Sequence, residues 1–239
     1  MTPALPTRET LAFLDRVLPP APARILEVGA GDGAVSLELA AKGYDVTALD
    51  EGFEAPAREG AVRWIERDFL HFDGEGAFDV VLFTRSLHHM APLDDALDRA
   101  LQALAPEGRV VAEELAYDRV NIPTARWFYD LKTVLAAAGL LQGSAGAEEE
   151  GNPLGRWRRE HVSDPPLPTG HSILAAARAR LDLTLVEEAP YLYRYIWDEM
   201  TNVEGARQAA EAVLRIERRL TRERDIAAAG LRFVGTPLG

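Results

Sequence analysis

The chain contains no cysteine among its 239 residues. Disulfides, thiolate metal centres and cysteine nucleophiles are therefore excluded, and cysteine usage carries no signal about redox compartment. Lysine is nearly absent as well: Lys42 and Lys132 are the only two, so the positive charge is almost all arginine. No stretch approaches the roughly 18 consecutive apolar residues of a membrane span, and Met1 to Thr10 lacks a basic start followed by an apolar run. A cytoplasmic protein with no membrane association is the expectation. With 38 acidic against 26 basic residues the formal charge is −12, which argues against a protein that holds nucleic acid by neutralising its phosphates.

What is present is an ordered alternation of elements. Arg24 to Ala34 (RILEVGAGDGA) reads as a strand, a glycine turn and a helix start. Ile25, Leu26 and Val28 form the short apolar run of a buried parallel strand. Gly29, Gly31 and Gly33 permit positive φ and close approach of a ligand to the backbone. The helix, beginning near Asp32, aims free N–H groups and the positive end of its dipole over the turn, where a carboxylate or phosphate is welcome. Before this motif, Thr7 to Leu18 predicts a helix capped by Thr7 and stopped by Pro19-Pro20.

After it, strands are predicted at Tyr44 to Leu49, ending on Asp50; at Val62 to Arg67, ending on Asp68-Phe69; at Phe78 to Phe83, running into Thr84 to Met90; and at Arg109 to Leu115. An amphipathic helix carrying Leu93, Leu97, Leu101 and Leu104 runs to about Pro106-Gly108. Five short strands alternating with helices give an α/β fold with a parallel sheet and right-handed crossovers.

The second half is less regular. Pro123 to Ala138 predicts a helix, but Gly139 to Thr169 shows no periodicity and holds Glu148 to Glu150, the run Arg156-Trp157-Arg158-Arg159, and Pro165-Pro166. Such a length exceeds ordinary connections and reads as a lid, a binding loop or a disordered excursion, a lid being expected to order over the ligand site when substrate binds. The Arg156 to Arg159 run reads as a solvated loop paired with the acidic run. A helix at about His171 to Ala179, strand segments at Leu183 to Glu188 and Tyr191 to Ile196, a helix from Val203 to about Ile226 and a strand at Leu231 to Thr236 complete the chain. The expectation is one domain over 1–239 with a helical and loop insertion at about 116–172 as the lid.

In an open parallel sheet the ligand lies at the carboxyl ends of the strands. Those ends carry Gly29 to Gly33, Asp50, Asp68-Phe69 and Thr84 to His89. A carboxylate after the second strand can accept hydrogen bonds from both ribose hydroxyls, making Asp50 a nucleoside-recognition residue. The turn alone leaves the nucleoside open, because Gly29-x-Gly31-x-x-Ala34 also fits the dinucleotide fingerprint.

The wider constellation resembles the class I S-adenosylmethionine-dependent methyltransferases, in particular the small-molecule group. The resemblance rests on Ile25 to Gly33, Val46 to Asp50, Asp68-Phe69, Phe78 to Phe83 leading into Leu87-His88-His89, and Leu104 to Arg109, and covers about residues 22 to 115 closely. It implies a Rossmann-like, doubly wound sheet of seven strands, mostly parallel, whose antiparallel last strand enters between its neighbours. It implies S-adenosyl-L-methionine as cofactor, with Glu27, Gly29, Ala30, Gly31 and Gly33 beneath the methionine part, Asp50 on the ribose, Asp68 at the adenine, and Phe69 and Thr84 nearby. An acidic site suits a ligand whose sulfonium and ammonium leave it net positive.

The implied reaction is in-line methyl transfer to an oxygen, nitrogen or carbon of a small-molecule acceptor. His88 and His89 are the candidate bases, needed only where the acceptor atom is protonated and weakly acidic; against that stands a helix cap and a packing role. Tyr191, Tyr193 and Tyr195 alternate on the predicted strand and so share a face, as pocket wall or as ordinary core. Glu113-Glu114 suggests no metal, because neighbours on a strand point to opposite faces. The Asn/Asp-Pro-Pro-Tyr signature of nucleic-acid amino-methylating enzymes is missing after the fourth strand, where Thr84-Arg85-Ser86-Leu87 stands. A nicotinamide-dependent oxidoreductase is the alternative, but it lacks the Tyr-x-x-x-Lys pair, since Lys132 follows Tyr129 by three. A nucleoside-binding module without catalysis is a third reading, and a homodimer stays open.

Overall fold

The first strand, β1 (Arg24–Val28), is buried along its whole length after Arg24 in the computed structural model, as its apolar run requires. The structure describes residues 3–53, 60–142, 152–163 and 166–239. Six further strands follow: β2 (Asp45–Asp50), β3 (Val62–Glu66), β4 (Phe78–Thr84), β5 (Leu104–Leu115), β6 (Leu181–Ala189) and β7 (Gly230–Pro237). They form one sheet in the order β3-β2-β1-β4-β5-β7-β6. Pairings from β3 through β5 are parallel. Gly230 lies against Ala189 and Gly235 against Leu181 and Asp182, so β7 runs antiparallel to β6. The sheet is the mixed, Rossmann-like one expected, with the last strand inserted between its neighbours.

The register is what places the site. Val28 pairs with Leu49 on one side and Phe83 on the other, and Asp50 pairs with Glu66. The chain therefore leaves β1, β2, β3 and β4 along one row, where the crevice of a doubly wound sheet opens.

By contacts the chain divides into two units, one of residues 1–114, 168–187 and 231–239, the other of residues 115–167 and 188–230. The first holds α1 (Leu5–Val17), α2 (Ala34–Ala41), α3 (Leu93–Ala103) and most of the sheet. Its core joins Phe13 and Leu14 of α1, Leu39 of α2, and Ile25, Val46, Val80, Leu82 and Val111 of the strands, all buried. Burying each such side chain is worth about 1.5–3 kcal/mol, which fixes α1 and α2 against the sheet.

The second unit holds α4 (Ile122–Ala137) and α5 (Pro153–Glu160); α6 (Gly170–Arg178) returns to the first; α7 (Leu192–Asp198) and α8 (Ala206–Glu223) belong to the second. Trp157 of α5 is buried against Phe128 of α4 and Tyr195 of α7, and its indole N–H donates to the Tyr117 carbonyl at 3.0 Å. Among the described residues no helix is long and apolar enough to cross a membrane.

Four expectations change. The first helix begins at Leu5, with Pro6 in its first turn, so Thr7 lies inside it and is no cap. Strand β5 starts at Leu104, and α3 ends at Ala103; Glu107 takes a φ of 64° where the ladder shifts register. The Arg156 to Arg159 run sits on α5: Arg156 pairs with Glu160 and lies over the Tyr129 ring. The acidic run Glu148 to Glu150 lies outside the described residues.

Tyr191, Tyr193 and Tyr195 are not on a strand. The carboxylate of Glu217, buried on α8, accepts the backbone N–H groups of Tyr191, Leu192 and Tyr193, and so caps a helix that local alternation does not announce. Tyr191 and Tyr195 then share a face as an i, i+4 pair, with ring centroids 6.0 Å apart.

Candidate functional site

A cavity of about 410 Å³ opens along the row of strand ends, walled by Gly29 after β1, Leu49, Asp50 and Glu51 at the end of β2, Arg67 to Leu70 after β3, and Arg85, Ser86, His89, Met90 and Ala91 after β4. All of these belong to the first unit. Of the predicted residues, Gly29, Asp50, Asp68, Phe69 and His89 line it.

The turn after β1 is left-handed at all three glycines, with φ of 69°, 57° and 71° at Gly29, Gly31 and Gly33. A Cβ on Gly29 would stand 2.4 Å from Cβ of Ser86, and one on Gly33 would enter the Trp64 ring, whereas one on Gly31 would meet nothing within 4 Å. The turn is thus clamped at both ends and open in the middle. Its donors point home: Gly29 and Ala30 N–H donate to the Leu49 carbonyl, Gly31 N–H to Asp50 Oδ2 at 2.8 Å, and Ala34 N–H to Asp32 Oδ1. Helix α2 begins at Ala34, two residues later than expected.

Asp50 also accepts Gly52 N–H on Oδ1 at 3.0 Å. Each of its oxygens therefore carries one backbone hydrogen bond and keeps a second acceptor position. Asp68 accepts Leu70 N–H on Oδ1 and pairs with His71 on Oδ2. The backbone hydrogen bond first, then His71, hold its carboxyl below the usual carboxylate range.

Glu27 and Thr84 lie elsewhere. Glu27 is 1% exposed and sits beneath the turn, its two oxygens accepting from the hydroxyls of Ser36 and Thr84 at 2.5 and 2.6 Å. This triad ties β1, α2 and β4 together. Burial pushes the Glu27 carboxyl up, opposed by the two hydroxyls and by Arg85. A raised folded value means that stability is full below the unfolded value near 4.5 and is lost as pH rises through the folded one. Glu27→Gln is expected to lose less stability on going from pH 4 to pH 8 than the parent, read as thermal midpoints across that range. Equal slopes would show that folding leaves the Glu27 pKa unshifted.

The two histidines part company. His88 is buried, and its Nδ1 lies 2.5 Å from Oε2 of Glu114, itself fully buried on β5. Glu114 Oε1 accepts the N–H groups of Ser86 and Leu87 at 3.2 and 2.8 Å. His89 stacks on His88 with centroids 4.1 Å apart and faces the cavity. Burial, then the neighbouring His88, lower its pKa, and Glu114 opposes them. His89 is therefore a neutral imidazole near pH 7, able to take a proton. Glu113, one residue away, faces the other side of the sheet and binds Thr10 and Arg232.

The sequence places Arg85 and Ser86 within the Thr84 to His89 segment without a role for either, and it gives Glu114 none. Ser86 donates to the Val28 carbonyl at 2.5 Å and is the surface on which Gly29 rests. The signal for it was present in the sequence only as a glycine whose neighbour across the sheet was unknown.

Comparison with known proteins agrees with this layout. The family model described as a methyltransferase domain matches residues 4–180. A demethylmenaquinone methyltransferase of Thermus thermophilus is 34% identical over 178 residues, spanning 69% of this chain and 77% of that protein. A methyltransferase of Mycobacterium tuberculosis is 27% identical over 179 residues, 71% of this chain and 83% of the relative. Among solved structures, the Burkholderia thailandensis 1,6-didemethyltoxoflavin-N1-methyltransferase, holding 1,6-didemethyltoxoflavin and S-adenosylhomocysteine, superposes with a TM-score of 0.56 at 18% identity, covering 98% of this chain and 79% of that one.

Proposed function

The chain belongs to the class I S-adenosylmethionine-dependent methyltransferases, and from that we propose that the cavity at the strand ends holds the cofactor while His89 serves the methyl acceptor. The observation that carries the reading is the cavity itself, which brings the glycine turn, three carboxylates and one neutral imidazole to a common wall.

The residues fit the cofactor. Asp50 keeps an acceptor position on each oxygen for the two ribose hydroxyls, Asp68 presents a carboxylate to the adenine amino group, and Leu49, Phe69 and Leu70 supply apolar wall for the base. Gly31, with open space above it, lets the methionine part approach the backbone. Glu27 and Thr84 hold the turn from below. When bound, the cofactor supplies an electrophilic methyl group on a positively charged sulfur. The protein aligns the acceptor with that methyl and keeps water out. His89 accepts the acceptor's proton where there is one, and His88, fixed by Glu114, holds the His89 ring in place. The acceptor is a small molecule rather than nucleic acid, in keeping with the charge of −12.

Calorimetric titration with S-adenosylmethionine, S-adenosylhomocysteine, NAD and NADP tests the assignment. Binding is expected for the two adenosyl-sulfur compounds alone. Asp50→Ala is expected to weaken it at least tenfold, since a lost charged hydrogen bond is worth about 1.5–3 kcal/mol. Binding of a nicotinamide nucleotide, or affinity unchanged in Asp50→Ala, would overturn the assignment.

A further inference from the structure

Arg85 is the first residue after β4 and holds a left-handed backbone conformation, with φ of 65°. A non-glycine residue held there is strained and persists only where the surroundings impose it. Here its N–H is tied to the Glu113 carbonyl at 2.8 Å, and the next residue, Ser86, is pinned to Val28 and seated on Gly29. The backbone is thus fixed on both sides, and glycine would satisfy it with less strain. An arginine stands there instead, exposed and on the wall of the cavity.

The other cation and the two aspartates of the wall are otherwise engaged, and Glu51 adds an exposed carboxylate at the end of β2. Arg67 pairs with Asp73 at 2.9 Å, Asp68 with His71, and Asp50 with two backbone N–H groups. Among the described residues the Arg85 guanidinium has no hydrogen-bond or ion-pair partner, and it acts at longer range on buried Glu27. The glycine turn offers few donors of its own, because Gly29, Ala30, Gly31, Gly33 and Ala34 direct their N–H groups within the protein. An anionic group entering over the turn meets one free cation among the described residues of the wall, and it has the planar fork that matches a carboxylate.

We infer that Arg85 is the carboxylate-binding residue of this cavity, receiving either the methionyl carboxylate of the cofactor or the carboxylate of an acidic acceptor. The inference rests on the cofactor assignment above.

The test uses Arg85→Gly, which removes the guanidinium while relieving the backbone, and Arg85→Lys, which keeps the charge and loses the fork. Both are titrated with S-adenosylhomocysteine and with its decarboxylated analogue, and the S-adenosylhomocysteine complexes are then titrated with benzoate. Arg85→Gly is expected to keep or raise the thermal midpoint. If the cofactor is the source, S-adenosylhomocysteine binds at least tenfold more weakly to Arg85→Gly, with partial recovery in Arg85→Lys, while the analogue binds parent and variant alike. If the acceptor is the source, both adenosyl ligands are unaffected and benzoate binds the parent complex but not the Arg85→Gly complex. Unchanged affinity for S-adenosylhomocysteine together with no Arg85-dependent binding of benzoate overturns the inference and leaves the cofactor site standing. Failure of the parent to bind either adenosyl ligand removes both.

Discussion

Gly29→Ala is expected to lose about 2–5 kcal/mol of stability, whereas Gly31→Ala, two residues along the same turn, loses only about 1–2 kcal/mol. Both residues have positive φ, so both substitutions incur the left-handed strain of a side chain. Only Gly29 adds a collision. Its new Cβ would lie 2.4 Å from Cβ of Ser86, far inside the roughly 3.5–4.0 Å optimum for two carbons. Ser86 cannot retreat, because its hydroxyl is bonded to Val28 and its N–H to buried Glu114.

At Gly31 the added carbon meets nothing within 4 Å in the free protein. It occupies the space the cofactor needs, so affinity for S-adenosylhomocysteine should fall at least tenfold with the melting midpoint moved by only a few degrees. Thermal melting and calorimetry on the two variants separate the effects. Equal stability of both would mean that the contact between the turn and β4 is loose. Full affinity in Gly31→Ala would mean that the cofactor does not lie over the turn.

The contrast between those glycines shows where reading the sequence stops. Alternation of apolar runs with glycine and acidic punctuation identified β1 to β4, the turn and the carboxylates at the strand ends, because each of these is written in consecutive residues. The parallel sheet with right-handed crossovers follows from the same alternation, whereas the doubly wound, seven-stranded order is what the family resemblance implies. Features that need a partner far along the chain were hidden. Residues 191–195 look like a strand until Glu217, more than twenty residues later, caps them into a helix. Trp157, flanked by arginines, looks solvated until α5 buries it in the second unit. Glu27 sits inside the motif, where the resemblance puts it beneath the methionine part of the cofactor, but no local pattern announces that its oxygens are claimed by Ser36 and Thr84. Arg85 reads as one of many arginines, and only its backbone angle and its lack of a partner among the described residues set it apart.

Glu114 is the second position where a single change should act strongly, and by a different route. One buried carboxylate gathers the N–H groups of Ser86 and Leu87 and the Nδ1 of His88, so that the chain after β4 turns around it. Glu114→Ala leaves those buried donors without acceptors, at about 1–3 kcal/mol each, and a total loss of about 3–5 kcal/mol is expected. Such a variant reports mainly on folding. Glu114→Gln is more informative, because its amide oxygen still accepts hydrogen bonds while the negative charge is gone. That charge acts to raise the pKa of His89, against burial and His88, which lower it. Removing it should move the His89 titration, followed by NMR of the imidazole, further below the ordinary histidine value of 6.5. A lower pKa makes His89 a weaker base without displacing it, so affinity for S-adenosylhomocysteine should hold while the acid limb of the methyl-transfer rate, when His89 acts as base, shifts to lower pH by the same amount. A His89 titration unmoved in Glu114→Gln would break the link from β5 to the cavity, and His89 would then owe its low pKa to burial and His88 alone.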